Sequence, residues 1–118
     1  MRYLCLVAID EKKLEAMSQS ESDALDAESL AYDDTLRKSG HFIAAQALQP
    51  VRNATTLRVQ RGKVLVTDGP FIETHEQIGG FILIEATDLN EAIQLASKIP
   101  VARLGTIEVR PIKELKKP

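Results

Sequence analysis

Four short apolar runs limit how this chain can fold. They cover residues 3–9, 41–48 and 80–86, together with the alternating run 106–112, in which Ile107 and Val109 are predicted to face one way and Glu108 and Arg110 the other. Runs of this length suit buried strands better than helices, which need about 10 or more residues. Helical patterns lie between the first and second runs and between the third and fourth. The chain is therefore predicted to alternate strands and helices around one sheet.

The two helices are predicted from spacing and capping signals. From about Ser22 to Ser39, apolar residues recur at near-helical spacing, acidic residues precede basic ones, and Gly40 follows as a stop signal. Asp88 begins the second helix, and Glu91 three residues later completes a capping-box variant. The inner faces are predicted to consist of Leu25, Tyr32 and Leu36 in the first helix and of Leu89, Ala92, Ile93 and Ala96 in the second.

A β-hairpin interrupts this order. Residues 55–60 alternate in polarity, and a turn at Arg61, Gly62 and Lys63 leads into residues 64–66. Without the hairpin the order is β-α-β-β-α-β, which is typical of ferredoxin-like domains with two helices on one face of an antiparallel sheet. We predict an α+β, ferredoxin-like fold with an inserted β-hairpin, and a flexible loop at residues 10–23.

The second face of such a sheet has no helix to cover it. Because the strands are apolar on both sides, the face needs a cover, and the same sheet of a second copy supplies one. The sequence therefore predicts a homodimer.

Composition excludes several classes of protein. The 118 residues suit one domain spanning residues 1–118, and fifteen basic against seventeen acidic side chains disfavour direct nucleic-acid binding. No apolar run reaches the ~18 residues of a membrane span, and no secretory signal is recognisable at the N-terminus. The single cysteine, Cys5, is predicted to be a small core residue. We expect a cytoplasmic protein without membrane association.

The segment TDGPFIETHEQIGGF, residues 67–81, is the densest group of polar and turn-forming residues. Asp68, Gly69 and Pro70 suit a turn in which the aspartate accepts hydrogen bonds from backbone amides. Residues 74–77 have a capping-box pattern that predicts a short helical turn. Gly79 and Gly80 indicate close backbone approach or a bulge. The functional alternative is that Asp68, Glu73 and Glu76 converge on a pocket, although loop carboxylates more often serve structure.

Other polar residues give weaker signals. His41 and His75 match no metal-binding spacing, so we expect no metal and no cofactor. His41 is either a proton carrier or, more often, a hydrogen-bonded structural histidine, and His75 is predicted to be exposed. Arg103 either binds an anionic substrate or pairs with a carboxylate across the dimer. The catalytic residues stay unknown, with His41 and Asp68 as candidates.

In the segments VTDGPFIETHEQIGGFILIEA and DLNEAIQLASKIPVARLGTIEVRPI the chain resembles the DGPF-domain proteins, a bacterial branch of the YCII-like family. The resemblance extends upstream through SGHFIAAQALQPV and ATTLRV to the N-terminal strand. It implies a ferredoxin-like fold that pairs as a dimeric α/β barrel. It does not imply an established activity.

Some YCII-like proteins carry a histidine and an aspartate in a cleft and have been proposed to be enzymes, in a fold that resembles muconolactone isomerase. Here Ser29 stands in the place of the histidine and Ile99 in that of the aspartate, so the resemblance does not carry that pair over. DGPF-domain proteins also resemble a group encoded beside, or fused to, alternative sigma factors. That resemblance implies a regulatory association.

Three hypotheses follow. In the first, a homodimer binds a small polar or anionic molecule in a cleft lined by the loop, with Asp68 as anchor or base, His41 as proton carrier and Arg103 as anion clamp. In the second, the protein is a non-enzymatic regulatory module associated with an alternative sigma factor. In the third, the loop is a structural turn without a ligand. The predicted ligand-binding residues are Asp68, Phe71, Glu73, Glu76 and Arg103.

Overall fold

A computed structural model describes residues 1–118. It contains six strands: β1 (Arg2–Ile9), β2 (Phe42–Ala47), β3 (Thr55–Gln60), β4 (Lys63–Asp68), β5 (Gln77–Glu85) and β6 (Thr106–Pro111). Its three α-helices are α1 (Glu11–Glu15), α2 (Gln19–Lys38) and α3 (Leu89–Ser97). Short 3₁₀ turns occur at Val51–Asn53 and Pro100–Arg103. None of the helices is both long and apolar enough to cross a membrane.

The main sheet has four antiparallel strands in the order β2-β5-β1-β6. Strands β3 and β4 form a separate two-stranded antiparallel sheet, the inserted hairpin. The α+β class is therefore confirmed, and the strand order is consistent with the predicted ferredoxin-like pattern. The hairpin leaves the chain between β2 and β5, which are neighbours in the main sheet.

The hydrophobic core lies between the helices and one face of the main sheet. Strand β1 buries every second residue, as expected where one face of a strand packs against helices. Its side chains meet those of β5, α2 and α3 in one cluster. Cys5 is among the most buried of them, and burial raises the pKa of its thiol to about 11. The prediction that Cys5 is a core residue is confirmed.

Helix α2 begins earlier than predicted. Ser18 is its N-cap: the Ser18 side chain accepts a hydrogen bond from the Glu21 amide, and the Glu21 carboxylate accepts one from the Ser18 amide. This reciprocal pair satisfies amides that the first helical turn leaves free. The short helix α1, capped by Asp10, precedes it. The expectation of a flexible loop at residues 10–23 is therefore wrong, because capping fixes both helix starts.

Helix α3 follows its predicted cap but not its whole predicted inner face. The Asp88 side chain accepts a hydrogen bond from the Glu91 amide at 2.9 Å, and the Glu91 carboxylate accepts one from the Thr87 amide at 2.9 Å. The small residues Ala92 and Ala96 are buried as predicted, whereas Leu89 and Ile93 are half exposed. The alanines allow close packing on the core, which leaves the flanking large side chains at the helix margin.

The face of the main sheet away from the helices carries apolar side chains that the chain covers only in part. We call it the open face, and define it by Leu4, Leu6, Ala44, Phe81 and Leu83, which lie directly opposite one another in the register and are all partly exposed. In β6, Glu108 and Arg110 are exposed opposite Leu6 and Leu4, while Ile107 and Val109 pack on the core. These orientations of β6 were predicted from its alternating sequence.

Candidate functional site

The loop between β4 and β5 begins with a turn that backbone groups and one threonine hold. We call residues 68–76 the DGPF loop, after its first four residues. Gly69 has a φ of 99°, a conformation that favours glycine. Its amide donates to the carbonyl of Ala54 at 2.8 Å, and the Thr56 hydroxyl donates to its carbonyl at 2.8 Å. The loop is thereby fixed to β3.

The Asp68 carboxylate takes no part in this turn. The side-chain hydrogen bonds of the loop involve Thr56, Thr74, Glu76 and Gln77, and none involves Asp68 or Glu73. Both carboxylates are exposed and form no ion pair within the chain. The expectation that Asp68 accepts hydrogen bonds from turn amides is wrong, because the Ala54 carbonyl and Thr56 already hold Gly69.

The second half of the loop is bent and contains no helical turn. The Gln77 side-chain amide donates to the carbonyls of Ile72, at 2.9 Å, and Thr74, at 3.3 Å. The Thr74 hydroxyl donates to the carbonyl of Glu76. The capping-box prediction for residues 74–77 is therefore wrong: Gln77 already belongs to β5, and its side chain braces the loop. Thr74 and Gln77, the first and last residues of the predicted capping box, are nevertheless the two residues whose side chains hold this half of the loop.

Two contacts tie the loop to the end of the main sheet. The Glu76 carboxylate accepts a hydrogen bond from the Thr106 hydroxyl at 2.7 Å. His75 Nε2 lies 3.1 Å from Asp10 Oδ2; its side chain is 85% exposed, as predicted, whereas that of Asp10 is only 14% exposed. Asp10 follows β1 directly and had not been identified as a site residue. Glu76 and His75 thus position the loop through Thr106 and Asp10.

Phe71 and Ile72 form an exposed apolar pair at the tip of the loop. Phe71 is 66% exposed, and the guanidinium carbon of Arg58 lies 5.1 Å from the centre of its ring. This distance permits a cation–π contact. Arg58 comes from β3, and no local pattern in the sequence connects it with Phe71. Its guanidinium is a cation beside the loop that the sequence reasoning missed.

His41 lies elsewhere. Its Nδ1 is 2.8 Å from the carbonyl of Glu85 and 3.8 Å from the Glu91 carboxylate, beside a cleft of about 240 Å³. Glu85 ends β5, whereas the DGPF loop leads into the start of that strand, which spans nine residues or about 27 Å. The structure therefore does not bring His41 and Asp68 together within one chain. The contacts of His41 match the second alternative, a structural histidine with a hydrogen-bonded side chain.

Arg103 is occupied by an ion pair. Its Nη1 lies 2.8 Å from Oε2 of Glu28, a residue of α2 in the same chain. An ion-pair partner was predicted, but across a dimer; the partner is instead local because the Pro100–Arg103 turn packs against α2. Arg103 is thus engaged away from the DGPF loop.

The positions of the family's histidine and aspartate form no polar pair here. Ile99 is buried in the core cluster, and Ser29 is half buried on α2. No group of three or more histidine, cysteine or acidic side chains lies close enough to hold a metal ion.

The two glycines at the start of β5 permit close approach of neighbouring strands. A Cβ on Gly80 would lie 2.9 Å from the carbonyl oxygen of Gln46, and one on Gly79 would lie 3.2 Å from the Ile9 side chain. The pairing of β1 with β5 also shifts register between Val7 and Ala8, opposite these glycines. Both predicted roles, close approach and a bulge, are therefore confirmed.

Comparison with known proteins identifies the family of the chain. The family model of the YCII-related domain matches residues 1–116. The chain is also 36% identical over 114 residues to an uncharacterised protein of Rhizobium meliloti (strain 1021), a match that covers 95% of this chain and 92% of the relative. A match over nearly the whole of both chains fixes the family, and the chain therefore belongs to the YCII-related family.

Proposed function

We propose that the protein is a homodimer, paired as a dimeric α/β barrel, that binds a small polar or anionic molecule in a cleft beside the DGPF loop. The observation that carries this proposal is the free carboxylate of Asp68. A turn aspartate ordinarily accepts hydrogen bonds from backbone amides nearby. Here Thr56 and the Ala54 carbonyl hold the turn, so the charge of Asp68 remains free to meet a ligand.

The chemistry of the loop suggests what the ligand presents. Asp68 and Glu73 are unpaired carboxylates, which attract groups that donate hydrogen bonds. Arg58, held against Phe71, offers guanidinium N–H groups to an anionic group. Arg103 is not available as the anion-binding residue, because it is paired with Glu28. Arg58 projects from the face of the hairpin opposite to Asp68, so it would hold an anionic group on the Phe71 side of the loop and not one beside Asp68.

The open face supports the dimer. Its five apolar side chains are partly exposed on the same side of the sheet, and no helix of the chain packs on that side. Soluble monomers rarely leave a contiguous apolar sheet face exposed. Pairing of two open faces about a two-fold axis would remove both from water at once.

A thermal-shift screen of small hydroxylated, amino and carboxylic compounds tests the proposed site. A ligand present at 100 times its Kd adds about 2.7 kcal/mol to the free energy of unfolding. At roughly 4 °C per kcal/mol for a chain of this length, the Tm should rise by about 10 °C. Asp68→Asn keeps the shape of the side chain but removes its charge, and should abolish the shift.

Asp26→Asn is the matched control. Asp26 is an exposed aspartate of α2, outside the loop, so its replacement should leave the ligand-induced shift unchanged. Equal shifts in the wild type, Asp68→Asn and Asp26→Asn would show that the compound binds elsewhere, and would overturn the proposed role of Asp68.

A second candidate function, a regulatory module that engages an alternative sigma factor, is favoured by the exposed pair Phe71 and Ile72. Exposed aromatic and aliphatic residues at a loop tip suit a protein partner. Co-purification with the sigma factor should be lost in Phe71→Ala but retained in Asp68→Asn. Loss in both variants would count against a contact made by the apolar tip alone.

A further inference from the structure

The hairpin formed by β3 and β4 carries an uncovered row of apolar side chains. Leu57 lies directly opposite Val66, and Val59 directly opposite Val64, so all four project from the same face of the hairpin. They are 61 to 64% exposed. We call them the apolar row. No element of the same chain covers it.

The other face of the hairpin is mainly polar. It carries Thr56, Arg58, Gln60, Lys63 and Thr67, with Leu65 as its one large apolar residue. The hairpin is therefore apolar on one face and mainly polar on the other, as expected of a sheet that packs its apolar face against another surface. An isolated two-stranded hairpin is marginally stable in water, so packing against another surface is expected to stabilise it.

Asp68 belongs to the face that carries the apolar row. It lies opposite Thr55 at the base of the hairpin, two residues beyond Val66 and four beyond Val64. Whatever covers Val64 and Val66 therefore comes next to the Asp68 carboxylate as well. That carboxylate has no partner in its own chain, so the covering surface bears directly on the ligand site.

The hairpin also projects from the body of the protein. The chain measures 49 × 47 × 19 Å and has a radius of gyration of 16.3 Å. A compact domain of this length has a radius of gyration of about 13 to 14 Å. An arm that extends from a flat body is placed to reach a neighbouring molecule.

We propose that the apolar row packs on a second copy of this chain and that the ligand site at Asp68 lies between the two copies. The inference rests on the proposed homodimer and its ligand site, and adds that each site is incomplete without the partner. The dimer interface then consists of the main sheet and the hairpin, because each hairpin packs on the other subunit.

The need for interface area favours a second copy as the occupant. A stable interface buries about 800 Å² on each partner, which corresponds to roughly 20 to 30 residues a side. The four residues of the apolar row are too few to supply that area, and so is the five-residue open face. Both surfaces belong to one chain, and a two-fold pairing can bury both pairs in a single continuous interface. The Asp68 carboxylate at the margin of this interface is then placed to accept hydrogen bonds from a ligand.

Thiol protection tests this arrangement. Cys5 is 1% exposed and does not compete for a thiol reagent, so one introduced cysteine can be followed by itself. Val64→Cys and Val66→Cys lie on the proposed interface face. Leu65→Cys and Thr67→Cys are their neighbours on the opposite face and serve as matched controls.

The thiols at positions 64 and 66 should react about tenfold or more slowly than those at 65 and 67 when the protein is concentrated, because they become accessible only when the dimer opens. Dilution should remove the difference. Equal rates at all four positions in a sample that sediments as a dimer would overturn the hairpin interface and leave the proposed homodimer standing. Equal rates in a sample that sediments as a monomer would overturn both.

A charge substitution gives an independent test. Val64→Glu places a carboxylate in the proposed interface and should shift the protein to the monomer in sedimentation velocity, while Leu65→Glu should leave the dimer intact. Both side chains are exposed in the single chain, so neither change disturbs its core. Dissociation by both variants, or by neither, would contradict the assignment of the apolar row.

Discussion

Replacing Asp68 by alanine should leave the thermal stability of the protein unchanged, whereas the same replacement at Asp88 should lower it. The two aspartates have the same chemistry but different surroundings. Asp88 is the N-cap of α3, and its side chain accepts from the Glu91 amide at 2.9 Å. The Asp68 side chain accepts no hydrogen bond in the chain, since the turn beside it is held by Thr56.

The expected difference can be estimated from these contacts. Loss of an N-cap side chain costs about 1 kcal/mol. The entropy of unfolding is roughly 2 cal/mol/K per residue, so 1 kcal/mol corresponds to about 4 °C in Tm for 118 residues. Asp88→Ala should therefore lose about 4 °C. Thr56→Val removes the hydroxyl bond to the Gly69 carbonyl and should cost about 1 kcal/mol as well.

Differential scanning calorimetry of the wild type, Asp68→Ala, Asp88→Ala and Thr56→Val, without added ligand, measures all three effects. The contradicting result is a loss of Tm in Asp68→Ala as large as that in Asp88→Ala. Such a loss would mean that the Asp68 carboxylate stabilises the fold, and the argument that its charge is free for a ligand would have no basis.

Two substitutions and one labelling measurement test the fold that positions the site. Gly105→Ala would place a Cβ 2.1 Å from the Ala8 carbonyl oxygen, and should lower the free energy of unfolding in urea by about 3 kcal/mol; a loss below about 1 kcal/mol would contradict this close approach. Tyr32→Phe removes the hydroxyl that donates to the Leu95 carbonyl and should cost about 1 kcal/mol in thermal unfolding; an unchanged Tm would show that this bond contributes nothing. The Cys5 thiol, whose pKa burial raises to about 11, should react with a thiol reagent at pH 8 only as fast as the protein unfolds, and fast labelling of the native protein would contradict its burial.

Much of the fold could be predicted because its signals are local. The strands β1, β2 and β5 correspond to apolar runs of strand length, and alternation in β6 correctly placed Ile107 and Glu108 on opposite faces. The cap of α3 at Asp88 was likewise read from two residues three positions apart. The same kind of signal was present at Ser18 and Glu21, but the serines and mixed charges around them were interpreted as a loop.

The site was harder to predict because its contacts are between distant residues. The sequence identified Asp68 as a turn residue able to accept hydrogen bonds, but not that Thr56 from another strand would hold the turn instead. Nor does any local pattern connect Arg58 with Phe71 or Asp10 with His75. These pairs form only when the hairpin and the ends of the main sheet are in place.

The most direct measurement for the account as a whole is the mass of the wild-type protein in solution, by sedimentation velocity over a range of concentrations. The open face and the apolar row are each explained by a second copy of the chain. A homodimer should appear as a species of twice the chain mass of 13.0 kDa at about 10 μM protein, a concentration above the Kd of most specific dimers. A monomer that persists to about 100 μM would contradict it.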